Sequence, residues 1–95
     1  MRTNIIEILT EYLRLIISDV EIIDDGSANV FYKHDGKTIF KHDKFKNEFN
    51  VTYSVWSMFV KHKMSYDNIK DLIKVEVENA FNIKVDILPS YNGID

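Results

Sequence analysis

The chain has 95 residues, no cysteine, 45% hydrophobic residues and a formal net charge of −3. This is one small domain with one core, too apolar to stay disordered and too small to enclose a large substrate cleft as well. The missing thiols exclude disulfides and thiolate metal sites, and the negative total excludes a generic attraction of the whole molecule to nucleic acid.

Residues 4–18 read as a helix. Asn4 can cap it, and Glu7 follows three positions later, the spacing of a capping box. The polar residues Asn4, Glu7, Glu11, Arg14 and Ser18 form one narrow stripe, and apart from Thr10 the remainder is apolar. Such a wide apolar arc exceeds the single stripe of a surface helix, so this segment either lies between two layers or meets another chain, a possible homodimer contact. Glu7, Glu11 and Arg14 also interrupt what a secretory signal would need, and no run of about 18 apolar residues exists to span a membrane. A cytoplasmic protein is expected.

Val20–Ile23 is a short strand candidate, followed by the turn Asp24-Asp25-Gly26-Ser27. Segments 29–34 and 37–42 flank Asp35-Gly36, a strong hairpin signal. A regular ladder closed by that turn pairs Phe31 with Phe40 and Tyr32 with Ile39. It puts Phe31 and Phe40 on one face, Val30, Tyr32 and Ile39 on the other, and His34 and His42 on opposite faces. A further strand is expected over Phe49–Tyr53, where apolar and polar residues alternate.

Ser54 is the expected cap of a helix over 55–62, with Lys61, His62 and Lys63 at the negative end of its dipole. Ser65 caps a longer helix over 66–81, whose inner face is Ile69, Leu72, Ile73, Val77, Ala80 and Phe81. The near-copies Ile73–Val77 and Ile83–Ile87 both alternate as strands do, so a hairpin across 73–87 competes with that helix. Residues 83–88 read as a strand under either arrangement, ended by Pro89. The fold class is therefore α+β in the order α-β-β-β-α-α-β: an N-terminal helix, a three-stranded antiparallel sheet, two helices and a short final strand. Residues 1–89 form the single domain and 90–95 a loose tail.

Charge is segregated along this chain. Residues 19–27 sum to −4, residues 28–47 to +3, and residues 65–95 to −3. Residues 28–64 hold seven of the ten lysines and all three histidines, interleaved with aromatic rings. A charge dipole of this kind can steer an encounter while the total stays acidic.

No catalytic motif is present. The three glycines are isolated, so no phosphate loop forms, and no serine sits in a nucleophile elbow. The repeated Lys-His-Asp at 33–35 and 41–43 suggests metal or phosphohydrolase chemistry, but imidazoles on opposite faces of a ribbon cannot converge on one ion. No cofactor and no metal are expected. Nucleic-acid binding could use the same lysines, with rings stacking on bases. The order α-β-β-β-α is also similar to that of the double-stranded-RNA-binding domain. That family places a lysine cluster at the start of its last helix, where residues 65–71 here are close to neutral. A helix-turn-helix over 55–81 would present Asp67, Asp71, Glu76 and Glu78 to phosphates.

The expectation from sequence is a non-enzymatic protein-binding module, an adaptor or inhibitor. It would dock Tyr32, Lys33, Lys37, Lys41, Lys44 and Phe45 of the hairpin region against an acidic partner surface. In composition and layout the chain resembles the small lysine-rich accessory proteins of phages and mobile elements, many of which bind a host or rival protein. That resemblance implies host cytoplasm as the setting.

Overall fold

The computed structural model describes residues 4–90. Helix α1 spans Ile5–Ser18, and the Asn4 side-chain carbonyl caps it by accepting the Ile6 N–H at 2.9 Å. Its C-terminal half is fastened to the body through Leu13, Ile16 and Ile17, all buried. Strands β1 (Glu21–Ile23), β2 (Asn29–His34), β3 (Lys37–Asp43) and β4 (Glu48–Thr52) follow. Helices α2 (Tyr53–Val60) and α3 (Tyr66–Phe81) then lead to β5 (Asp86–Ser90).

The class is α+β, as expected, but the sheet has five strands in the order β1-β2-β3-β4-β5 rather than three. The first four run antiparallel in succession, and β5 returns parallel to β4. A parallel neighbour needs a long crossover, which α2 and α3 supply. The final strand lies at 86–90, not 83–88, and it includes Pro89. Proline is admissible there because β5 is an edge strand with one side free of ladder hydrogen bonds. Ser90, read from sequence as the start of the tail, closes that strand against Thr52, and residues 91–95 lie outside the described part.

The β2–β3 turn is the two-residue turn that Asp35-Gly36 predicts. Both central residues have positive φ, 52° and 78°, which is the primed geometry matched to strand twist. The ladder begins as expected, with His34 opposite Lys37 and Lys33 opposite Thr38. It then shifts, and Tyr32 pairs with Phe40, leaving Ile39 as an extra residue. This bulge corrects the expected pairings of Phe31 with Phe40 and of Tyr32 with Ile39. A one-residue slip exchanges faces. Tyr32 and Phe40 therefore share the inner face, and Phe31 moves to the opposite face beside Lys41. The slip also brings His34 and His42 to the same face, correcting the opposite-face expectation. Thr38, Ile39 and Phe40 are all buried.

Two cross-strand rows form the floor of the core. One is Tyr32, Phe40, Val51 and Pro89, with the exposed Ile22 at its edge, and the other is Val30, His42, Phe49 and Ile87. Rings close over it, with centroids 4.9 Å apart for Phe40–Phe49, 4.9 Å for Tyr32–Phe49 and 4.8 Å for Tyr32–Phe81. Val55, Trp56 and Phe59 of α2 and Ile69, Ile73 and Val77 of α3 roof it. Trp56 is a core residue and stacks obliquely on Tyr66.

Helix α3 settles the ambiguity over 73–87 in favour of helix. The Ser65 hydroxyl accepts the Asn68 N–H at its start, and Asn82 in the left-handed region ends it. Ala80, expected inside, is exposed. Helix α2 starts two residues early, so Tyr53 belongs to it and not to β4. Its N-cap is Thr52 rather than Ser54, and Lys61, His62 and Lys63 lie just past its last turn.

Truncating a ring in the floor leaves a cavity that the packed helices cannot fill. Phe49→Ala is expected to lower the unfolding free energy by about 3–5 kcal/mol in a urea titration. Phe45→Ala, at a ring 87% exposed, is expected to change it by less than about 0.5 kcal/mol.

Candidate functional site

All three helices pack on one side of the sheet, because Val30, Tyr32, Phe40, Phe49, Val51 and Ile87 of the inner rows join the same core cluster as the buried residues of α1, α2 and α3. The other side carries no helix. Its central row reads, across all five strands, Ile23, Phe31, Lys41, Asn50 and Leu88, each half-buried among its neighbours. Toward the hairpin tip the next row is Glu21, Lys33 and Thr38. Toward the opposite end it is Asn29, Asp43, Glu48 and Asp86. The open face is thus graded, with an aliphatic-aromatic row holding one lysine at its centre, a second lysine above it, and carboxylates below.

The six residues singled out from sequence do not form one patch. Lys33 and Lys41 lie diagonally on the open face. Lys37 is exposed at the hairpin tip, opposite His34. Lys44 and Phe45 lie in the β3–β4 turn at the far end of the ribbon, about 20 Å from Lys37 along a seven-residue strand. Tyr32 is only 6% exposed and belongs to the core, so its ring does not serve a surface. Burial pushes its hydroxyl above the usual phenol range, and the charge of Asp24 adds to this. The residues that sequence reasoning missed are Phe31, Ile23 and Leu88. Only the bulge brings Phe31 outward, and nothing in the local pattern announces it.

Several of the cations already face carboxylates. The Lys44 ammonium lies 3.0 Å from Asp24, Lys84 lies 3.7 Å from Glu78, and Glu21 stands directly across the ladder from Lys33. On the helix side Arg14 links Glu11 at 2.8 Å to Glu76 at 2.6 Å. Two of the three histidines have side-chain neighbours: the His42 Nε2 meets the Asn47 Oδ1 at 3.0 Å, and the His34 Nδ1 lies 3.6 Å from Asp19. Among the described residues no group of three or more His, Asp or Glu side chains is placed to hold a metal ion, and no helix is long and apolar enough to cross a membrane.

The β3–β4 end of the ribbon is held by short polar contacts. Asn47, with φ 53°, donates its side-chain amide to the Lys84 carbonyl at 2.6 Å, and its own carbonyl accepts the Asp86 N–H. Asp43 accepts the N–H groups of Phe45 and Lys46, which rounds the turn that displays the Phe45 ring. Compared with protein-family models, curated proteins and solved structures, the chain matches none of them.

The turn between β1 and β2 makes the fold sensitive to acid. Asp24 is held below the usual carboxylate range by the Gly26 N–H and by Lys44, and Asp25 by the Ser27 N–H. The folded state therefore binds these protons less readily than the unfolded chain. Their contribution is present above the ordinary aspartate value, about pH 4, and is lost as pH falls through the lowered folded values. Thermal melts are expected to show Asp25→Asn less stable than the parent at pH 7, with the gap closing as the pH approaches about 2.

Proposed function

We propose that this chain is a non-enzymatic protein-binding module, an adaptor or inhibitor, that docks through the uncovered face of its sheet. The observation that carries this is the five-strand row of Ile23, Phe31, Lys41, Asn50 and Leu88, with Lys33 beside it. An aromatic ring flanked by aliphatic and lysine side chains on a flat, helix-free face has the composition of a protein interface: an apolar centre and a polar rim. Phe31 is the ring placed to enter a pocket on the partner. Lys33 and Lys41 supply the positive charge that steers an acidic partner surface into register. Phe45, Lys37 and Lys44 lie at the two ends of the ribbon and extend the contact only for a partner long enough to span it. The setting is the cytoplasm, that of the host if the chain is encoded by a phage or mobile element.

Nucleic-acid binding through the same lysines is the alternative. The row of Asp43, Glu48 and Asp86 weighs against it, since a phosphate backbone laid across the open face would meet three carboxylates next to Lys41. Repulsion of that kind is sequence-independent and grows as salt is lowered.

Capture from a nuclease-treated lysate of the native host tests the proposal. The unaltered chain is expected to retain a specific protein. Phe31→Ala, or Lys33→Glu with Lys41→Glu, is expected to weaken that retention at least about tenfold while the circular dichroism spectrum is unchanged. Retention indifferent to all three substitutions would clear the open face of a role. Binding to generic RNA and DNA that falls steeply with salt would favour the nucleic-acid alternative instead.

A further inference from the structure

Helix α1 carries a second surface that the open face does not use. Ile5, Ile8, Tyr12 and Leu15 are 41%, 47%, 52% and 67% exposed. They run down one side of the helix, next to the polar stripe of Glu7, Glu11 and Arg14 and continuous on the other flank with the buried Leu13 and Ile16. Leu15 is the most exposed of the four although it lies on the half of α1 that is fastened to the body. The stripe therefore faces away from the domain and is not a fraying end. Residues 4–8 are all exposed, so the first turns of the helix stand clear of the core.

The spacing of the stripe is three, four, three. This is the alternation of a helix-pairing seam, and it is palindromic about position 10. Turned end for end, the stripe superposes on itself. We infer that α1 pairs with α1 of a second copy, antiparallel and about a two-fold axis. Ile5 then meets Leu15 of the other chain, and Ile8 meets Tyr12, each contact occurring twice as an isologous interface requires.

Area and the two-fold symmetry of the spacing select a second copy as the occupant. The four side chains leave on the order of 400 Å² of apolar surface exposed per copy. With the flanking residues, two copies bury about 1,000 Å², the lower limit for a specific interface. The stripe is bordered by acids, so an anionic membrane surface or an acidic peptide would be repelled. Glu11 lies beside the axis, where it would approach its own counterpart; Arg14 of the same chain, shared with Glu76, holds it at 2.8 Å and offsets part of that charge. The open sheet face takes no part in the pairing. The dimer therefore presents two such faces to a partner, and the inference stands or falls independently of what binds there.

Sedimentation equilibrium of the full chain, from about 1 μM to about 1 mM, is expected to show a reversible approach to twice the 11.2 kDa chain mass. Ile8→Glu with Leu15→Glu is expected to remain at the single-chain mass throughout, with unchanged circular dichroism. An unaltered chain that stays monomeric over this range, or a dimer that survives both glutamates, overturns the inference. The cysteine-free sequence allows a direct test of the pairing. Mixing Ile8→Cys with Tyr12→Cys is expected to give crosslinked heterodimers under mild oxidation, more than either variant gives alone. Preferential crosslinking of each variant with itself would contradict the antiparallel arrangement.

Discussion

The ladder between β2 and β3 holds one residue more on one strand than on the other, and that residue, Ile39, decides which side of the sheet each ring occupies. Side chains alternate with a period of two, so a single extra residue exchanges the faces of everything beyond it. With the bulge, Phe40 faces Tyr32, Phe49 and Val51 and completes the floor on which α2 and α3 rest. Without it, a regular ladder from Asp35-Gly36 would send Phe40 outward and leave a ring-sized gap under the helices. Burial of Phe40, at 0% exposure, together with Ile39 at 5% offsets the local loss of one ladder pairing.

The same slip builds the outer surface. It brings Lys41 level with Phe31 and Asn50, and through them with Ile23 and Leu88, into a row that crosses the whole sheet. What the sequence presents as a continuous basic band is thereby divided. Part lies at the centre of the open face, part at the hairpin tip, and part in the distant β3–β4 turn, where Asp24 holds Lys44. The positive charge of residues 28–47 is local and partly compensated. The outward stripe of α1 lies on another element altogether.

Elements marked by local chemistry were legible in the sequence. Asn4 and Ser65 announce two helices to within a residue, since a cap needs only its own helix to act. Asp35-Gly36 announces its turn because both residues tolerate the left-handed region. The wide apolar arc of residues 4–18 already contained the three-four-three stripe. What was not legible depends on contacts between distant segments. The bulge at Ile39 goes with the packing of Tyr32 against Phe49 and Phe81, rings from other elements of the chain. The pairing of β5 with β4 depends on Asn47 meeting Asp86 across nearly forty residues. Tyr32 is expected at the surface and Phe31 on the face of Phe40, and one extra residue in the ladder reverses both.

The side assignment of the rings is the claim on which both the core and the open face depend. Proton NOE spectroscopy of the β2–β3 hairpin in the unaltered protein tests it most directly. The account predicts cross-peaks from the Tyr32 ring to Phe40, Phe49 and Phe81, and from the Phe31 ring to the Lys41 and Ile23 side chains. Cross-peaks joining the rings of Phe31 and Phe40, with Tyr32 in contact with Lys41, would contradict it.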